Sequence, residues 1–337
     1  MPYPVGADKT NAKTETTALQ GGRAQDALCT VADDDTPSLK PNEARVRHHA
    51  IGVNYIDIYH RTGLYPLPLP SGIGLEGAGV VEAVGAEVGD VKIGDRVAYA
   101  GGAPGAYSQV RNIAANHLVK LPDAIDFNIA AAMMLQGLTA QYLLRRTYCV
   151  SAGETILIHA AAGGVGLIAS QWAKALGATV IGTVSTEAKA ALARAHGCDF
   201  TINYSQENFV QRVKEITGGK GVAVVYDSIG KDTFFGSLDC LRPLGMMVSF
   251  GNASGSVPPF DLSELAKRGS LFVTRPTLFS YVAKREELLA MSYELFAMVT
   301  SGKLKIEVSH SYPLQDAAQA HIDLAARKTT GSIILVP

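Results

Sequence analysis

The chain has no surplus of charge, little cysteine and no long apolar run. Thirty Lys and Arg against thirty-one Asp and Glu leave a formal charge of −1 over 337 residues. No basic stripe for nucleic acid or anionic lipid follows from that balance, and a nucleic-acid partner is not expected. The four cysteines (Cys29, Cys149, Cys198, Cys240) are scattered, with no C-x-x-C pair. That excludes a disulfide framework or a thiol-rich zinc cluster and leaves reduced structural thiols. The eight histidines show no ligand-like spacing. His48 and His49 are neighbours on a predicted strand and face opposite ways. The most apolar window, residues 129–144, is interrupted by Gln136 and Gln141 and falls short of the ~20 apolar residues of a membrane span. The N-terminal residues show no charged region followed by an apolar core, so no secretory signal is expected and the cytosol is the simplest address. There is no internal repeat.

Apolar material is plentiful: 47% of residues are hydrophobic and 18% charged, enough for a core in one large or two ordinary domains. Its most informative stretch is Ile156-Leu-Ile-His-Ala-Ala-Ala-Gly-Gly-Val-Gly166. A short apolar run from Thr155 reads as a buried parallel strand. Ala161, Ala162, Gly163 and Gly164 make a tight turn, and Val165, Ile168, Ala169, Trp172, Ala173 and Leu176 recur at helical spacing. Strand, small-residue turn and helix form a pyrophosphate cradle, with Gly163, Gly164, Val165 and Gly166 at the helix N-terminus, where free N–H groups and the positive dipole end meet the phosphates. A side chain at Gly163 would hold phosphates off the backbone, and one at Gly166 would push helix from strand. Ala161 stands where the general fingerprint has Gly.

A second match, Gly72-Ile-Gly-Leu-Glu-Gly77, fits G-x-G-x-x-G literally. Pro-rich sequence leads into it and a Val-rich strand pattern follows, so it is a loop-to-strand passage. From Ala44 to about residue 122 the pattern is β-rich, with strands predicted at 45–51, 79–84 and 96–99 between Gly, Pro and Asp. Thereafter strands and helices alternate. Strands fall at 155–160, 179–184, 200–203, 222–227, 245–251 and 271–274; helices fall at 130–144, 187–196, 209–217, 233–241, 285–300 and 316–327. A strand at 332–336 ends the chain. This alternation predicts an α/β fold with a doubly wound parallel sheet of Rossmann type.

The tip of the second strand of such a unit selects the dinucleotide. Here it reads Gly182-Thr-Val-Ser-Thr-Glu-Ala-Lys189, with no acid at the tip to hold ribose hydroxyls. Ser185 and Thr186 offer hydrogen bonds and Lys189 a charge, while Glu187 suits the start of the following helix. NADPH is expected rather than NADH.

The chain resembles the zinc-independent quinone oxidoreductases, zeta-crystallin among them, of the medium-chain dehydrogenase/reductase superfamily. The likeness is carried by Gly52-Val-Asn-Tyr-Ile-Asp57, Arg61-Thr-Gly-Leu-Tyr65, Gly94-Asp-Arg-Val97, Gly137-Leu-Thr139 and the cofactor turn. It continues through Ile202-Asn-Tyr204, Val225-Tyr-Asp-Ser228, Val248-Ser-Phe-Gly-Asn252 and Val273-Thr-Arg-Pro276. It runs from about Pro37 to Pro337. Residues 1–35 depart from it: the usual first strand and G-G-P-E-type turn are not visible, Gly21-Gly-Arg-Ala-Gln25 is a faint echo, and an altered or absent first strand is expected.

The resemblance implies a β-rich GroES-like catalytic domain (residues 1–125 and 301–337) around an inserted Rossmann dinucleotide-binding domain (126–300), with the active site in the cleft. It implies a homodimer through an edge strand near 270–275. By matching position, Thr139 would meet the nicotinamide side; Lys189, Tyr204 and Arg327 would surround the 2′-phosphate; Ser228, Phe250, Gly251 and Ser254 would line the dinucleotide. Gln136 faces the cleft at a position where the family often has a basic residue. Zinc-using relatives need Cys, His and Glu donors; the first of these positions holds Asn54, and the Gly-His-Glu signature reads Gly74-Leu75-Glu76. No metal is expected.

Without a Lewis acid the substrate has to be a ready hydride acceptor, which a quinone is. Asn54 and Tyr59 are the candidate catalytic residues, as donors near the developing oxyanion, and Asp57 is expected to brace the loop. The expected activity is NADPH-dependent quinone reduction by direct hydride transfer without metal or flavin. Reduction of activated C=C bonds in enones or enals is the near alternative, and an NADPH-binding structural or RNA-binding protein the alternative of another class.

Overall fold

In a computed structural model the backbone is described at residues 14–19 and 28–33, and backbone and side chains over residues 37–337. The second half of the chain builds a six-stranded parallel sheet. Its spatial order is Phe200–Asn203, Thr179–Val184, Thr155–Ile158, Val222–Asp227, Leu241–Ser249 and Phe272–Thr274. The order reverses between Thr155–Ile158 and Val222–Asp227, so the glycine turn leaves its strand at the topological switch point. Val222–Asp227 is buried at all six positions, as a strand covered on both faces must be.

A seven-stranded sheet centres on the long strand Glu43–Val53, which pairs antiparallel with Glu76–Val84, Val110–Ala114 and the C-terminal Ser332–Val336. The literal G-x-G-x-x-G decoy is confirmed as a loop-to-strand passage, since Glu76 opens the strand Glu76–Val84. His48 is a satisfied core histidine: its Nδ1 lies 2.6 Å from the Ser108 carbonyl and its Nε2 2.8 Å from the Tyr99 hydroxyl. His49 points out and stacks on Phe127 at 4.3 Å.

Of the two N-terminal expectations, an altered or an absent first strand, the absence is corrected. Thr14–Leu19 and Leu28–Asp33 form an antiparallel pair, and the first also pairs with Ser71–Gly72. Threonines carry this segment, and they favour the extended backbone without the apolar alternation that marks a strand in sequence. The Gly21–Gln25 echo lies outside the described residues. The helix Tyr55–Thr62 and the strands Val110–Ala114 and Val308–Pro313 were not anticipated.

The helix Phe127–Tyr142 joins the two layers. It is buried on nearly every side, and its small residues Ala130, Ala131 and Ala132 allow both sheets to approach. Its core continues into Ile156, Ile158, Trp172 and Val224 on one side and Ala78, Ala98 and Ile334 on the other. Among the described residues no helix is long and apolar enough to cross a membrane.

Close approach explains Gly52. A Cβ there would lie 2.2 Å from Glu76 Oε2 and 2.4 Å from the Ala131 carbonyl, so only glycine leaves room for the buried carboxyl under the helix. Gly52→Ala is therefore expected to destabilise the protein by about 1–3 kcal/mol, the usual cost of overpacking a core, read as a lower urea midpoint in an equilibrium melt.

Candidate active site

A cavity of about 580 Å3 runs between the two layers. Its floor is the glycine turn. The Gly163 N–H donates to the Ala160 carbonyl at 2.9 Å, and the helix Gly164–Ala175 starts with Gly163 in extended conformation at its N-cap. The first-turn N–H groups of a helix have no intrahelical partner, and Gly164, Val165 and Gly166 all line the cavity. A Cβ on Gly166 would stand 2.4 Å from the Ala160 carbonyl and 2.7 Å from Ala161 Cα, which is the helix-to-strand contact expected of that glycine. Gly164 has a reason that spacing did not reveal: a Cβ there would stand 1.9 Å from Gln136 Oε1.

At one end of the cavity Lys189, Tyr204, Arg327 and Ser185 converge. Lys189 Nζ donates to the Arg327 carbonyl at 2.7 Å. Burial, then the Arg327 guanidinium, hold the Lys189 ammonium below its ordinary pKa. Two cations held this close suit an anionic ligand. Burial raises the Tyr55 phenol, and the nearby positive charge of Arg327 pulls it back down. Thr186 caps the following helix by accepting from the Lys189 N–H, and Glu187 pairs with Arg194 at 2.5 Å.

Ser228, Phe250 and Gly251 line the opposite wall. A Cβ on Gly251 would meet the Ser228 carbonyl at 2.4 Å. Ser254 is not brought to this wall: its hydroxyl donates to the Ile229 carbonyl and accepts from the Asp232 N–H, both at 3.0 Å, so it holds the loop together.

Asn54, Tyr59 and Thr139 line the other end. Asn54 caps the helix Tyr55–Thr62, and its backbone N–H donates to Asp57 Oδ2 at 2.9 Å. Asp57 thus braces the loop, and the buried Tyr107 hydroxyl holds the same oxygen at 3.0 Å. The Asn54 amide nitrogen donates to Glu76 Oε2 at 2.6 Å, and its oxygen accepts from Gln136 Nε2 at 3.2 Å. The Tyr59 hydroxyl accepts the Asn252 N–H at 2.8 Å, and that of Tyr65 accepts from Arg275 Nη2 at 2.8 Å. Arg275 Nη1 also donates to the Ser249 carbonyl at 2.8 Å, so these tyrosines clasp the parallel sheet across the cavity. Burial pushes the Tyr59 phenol up to about 12, keeping its proton in place. Tyr55, Tyr65, Tyr142 and Arg275 are further lining residues that sequence reasoning missed. Tyr55, Tyr65 and Arg275 stood inside quoted motifs, and Arg275 closed the predicted edge strand.

Among the described residues no group of three or more His, Cys, Asp or Glu could hold a metal ion. At the position where zinc-using relatives need donors, the Asn54 amide and the Glu76 carboxyl are bonded to each other.

Comparison with known proteins agrees with this geometry. Residues 40–123 match the family model described as alcohol dehydrogenase GroES-like domain, and residues 164–290 that described as zinc-binding dehydrogenase. A quinone oxidoreductase from Pseudomonas aeruginosa is 60% identical over 298 residues, covering 88% of this chain and 92% of that protein. The chain belongs to the quinone oxidoreductase family. An Escherichia coli quinone oxidoreductase solved in complex with NADPH superposes with a TM-score of 0.93 at 52% identity, covering 96% of this chain and all of the other. A 2-haloacrylate reductase from a Burkholderia species is 52% identical over 305 residues, covering 88% of this chain and 91% of its own.

The Glu76 carboxyl is fully buried, and burial pushes it up to about 8 against the pull of its N–H donors. A folded-state carboxyl above its unfolded value favours folding at low pH and loses that contribution as pH rises towards the folded value. The buried His48 and His321, both lowered to about 3, pull the other way until their unfolded forms are neutral, at about pH 7.5, and do so equally in wild type and in a Glu76 variant. Between about pH 6.5 and 8 the unfolding free energy is expected to fall by up to about 1.4 kcal/mol per pH unit from this group. In urea titrations across that range the stability of Glu76→Gln relative to wild type should therefore rise with pH.

Proposed function

We propose that this enzyme reduces quinones with NADPH by direct hydride transfer, without metal or flavin, in the cavity between the two layers. The observation that carries the reading is the alignment in one cavity of a glycine-lined helix N-terminus, a Lys189–Arg327 cation pair and the Asn54 amide. The residues fit the cofactor. The amides of Gly163–Gly166 meet the diphosphate, Lys189, Arg327 and Tyr204 the 2′-phosphate, and Ser185 the adenosine ribose. Ser228, Phe250 and Gly251 flank the dinucleotide, and Thr139 meets the nicotinamide. When bound, the cofactor supplies the hydride. Asn54 presents an N–H, and Tyr59 a hydroxyl hydrogen, to the acceptor oxygen on which charge develops. The apolar and tyrosine walls exclude water and hold a flat ring in place.

The same reading assigns residues 1–125 and 301–337 to the catalytic domain and 126–300 to the dinucleotide-binding domain. It pairs two chains through Phe272–Thr274, an edge strand on which Phe272 is 55% exposed. It places the enzyme in the cytosol, in keeping with the free thiols of Cys198 and Cys240. Reduction of an activated C=C bond is the second reading, favoured by the 2-haloacrylate reductase among the relatives.

Rapid mixing of enzyme and NADPH with 1,4-benzoquinone or 9,10-phenanthrenequinone is expected to oxidise NADPH well above background; no oxidation would overturn the reading. Product analysis with deuterated cofactor separates delivery to a carbonyl from delivery to an alkene. Lys189→Ala and Arg327→Ala are each expected to weaken NADPH by about 1.5–3 kcal/mol, the range for charge-assisted hydrogen bonds, with NADH barely changed. Equal losses for both cofactors in a binding titration would remove these residues from the 2′-phosphate site.

A further inference from the structure

Asn54 carries the donor in the reading above, yet an amide has two ends of similar shape and opposite polarity. Something has to decide which end faces the cavity. The structure shows a chain of hydrogen bonds that does so. Ser332 Oγ stands 2.7 Å from Gln136 Oε1 and 2.9 Å from the Ala132 carbonyl, its single hydrogen shared between them. Gln136 Nε2 donates to Asn54 Oδ1, and Asn54 Nδ2 donates to Glu76 Oε2. The other Glu76 oxygen accepts the Leu135 N–H at 2.8 Å. Of the two hydrogens on Asn54 Nδ2, Glu76 takes one, and the second has no acceptor among the described residues.

We infer that Glu76 and Gln136 are positioning residues that set which end of the Asn54 amide is presented to the substrate. The inference rests on the reading of Asn54 as donor. Glu76 is fully buried and is not part of the cavity wall, so it acts only through Asn54. The backbone is built around this chain: a Cβ on Gly52 would strike Glu76, and one on Gly164, beneath the phosphate site, would strike Gln136. The orientation of the Asn54 amide is thereby tied to the cofactor cradle.

One variant reverses the polarity without changing the shape. Ionised Glu76 accepts at both oxygens; Glu76→Gln keeps the shape but makes the two ends of the group different. The Leu135 N–H belongs to the backbone and cannot turn, so the Gln oxygen has to face it and the Gln NH2 has to face Asn54. Asn54 then reverses, Gln136 reverses in turn, and Ser332 accepts while giving its hydrogen wholly to the Ala132 carbonyl. Every group stays paired, so the variant folds, but the free N–H of Asn54 moves to the Gln136 side.

The test compares Glu76→Gln, Asn54→Ala and their combination with the wild type, by steady-state quinone kinetics and NADPH titration at about pH 9, above the value near 8 at which the buried Glu76 ionises. Glu76→Gln is expected to keep NADPH affinity and to lower kcat roughly tenfold to a hundredfold, as when one oxyanion donor is lost. Asn54→Ala should cost a similar factor, and the double variant no more than either alone. Gln136→Glu, which sets a second carboxylate against the Asn54 oxygen, should lower the melting temperature. Adding Glu76→Gln to it should restore stability without restoring kcat. If Asn54→Ala keeps wild-type kcat, the donor reading fails and this inference with it. If Asn54→Ala loses kcat while Glu76→Gln stays within twofold of wild type, the donor reading stands and the positioning role is overturned. Recovery of kcat together with stability in the Gln136→Glu/Glu76→Gln pair would also overturn it.

Discussion

A helix without a solvent face dominates this molecule. Phe127–Tyr142 lies between a parallel and an antiparallel sheet, and almost every residue it carries is buried. In such a place a polar side chain is tolerated only where it finds partners. Gln141 finds Glu294 at 2.7 Å, Gln136 finds Asn54 and Ser332, and Thr139 reaches the cavity. Of the two polar interruptions that disqualify the segment as a membrane span, Gln136 is a point at which the helix meets the cavity, and Gln141 ties it to the helix Arg285–Thr300 through Glu294.

The site follows from where that helix sits. One end of the cavity is made by the first turn after a central parallel strand, with amides and cations suited to phosphates. The other end is made by the antiparallel layer, with an amide, tyrosines and a buried carboxyl. Tyr59 and Tyr65 reach across to Asn252 and Arg275, so the two ends are held in register by hydrogen bonds as well as by the shared core. One layer thus offers amides and cations, and the other an amide and tyrosine hydroxyls, to the same cavity.

Much of this was legible in the sequence because it is local. The strand, glycine turn and helix around residues 155–176 occupy consecutive positions, and parallel strands read as unbroken apolar runs. The strand-tip argument for Ser185 and Lys189 is local too, and both reach the cavity. What escaped depends on distance or on weak signals. Glu76, Asn54, Gln136 and Ser332 come from four separate segments, and no spacing rule joins them. Ser254 matched a family position, but its hydroxyl is absorbed by its own loop. The Thr-rich strand Thr14–Leu19 lacks apolar alternation, and the helix Tyr55–Thr62 is too short for a periodic pattern to stand out. Arg327 was placed by resemblance alone, and its contact with Lys189 depends on a turn with positive φ after the last helix.

The account stands on the cavity being a seat for a reduced, 2′-phosphorylated dinucleotide, and calorimetry tests that most directly. Titrating NADPH into the full-length protein is predicted to release or absorb heat with one site per chain, and NADH to bind far more weakly under the same conditions. An absence of heat with NADPH on well-folded protein, or indistinguishable affinity for the two, would contradict it.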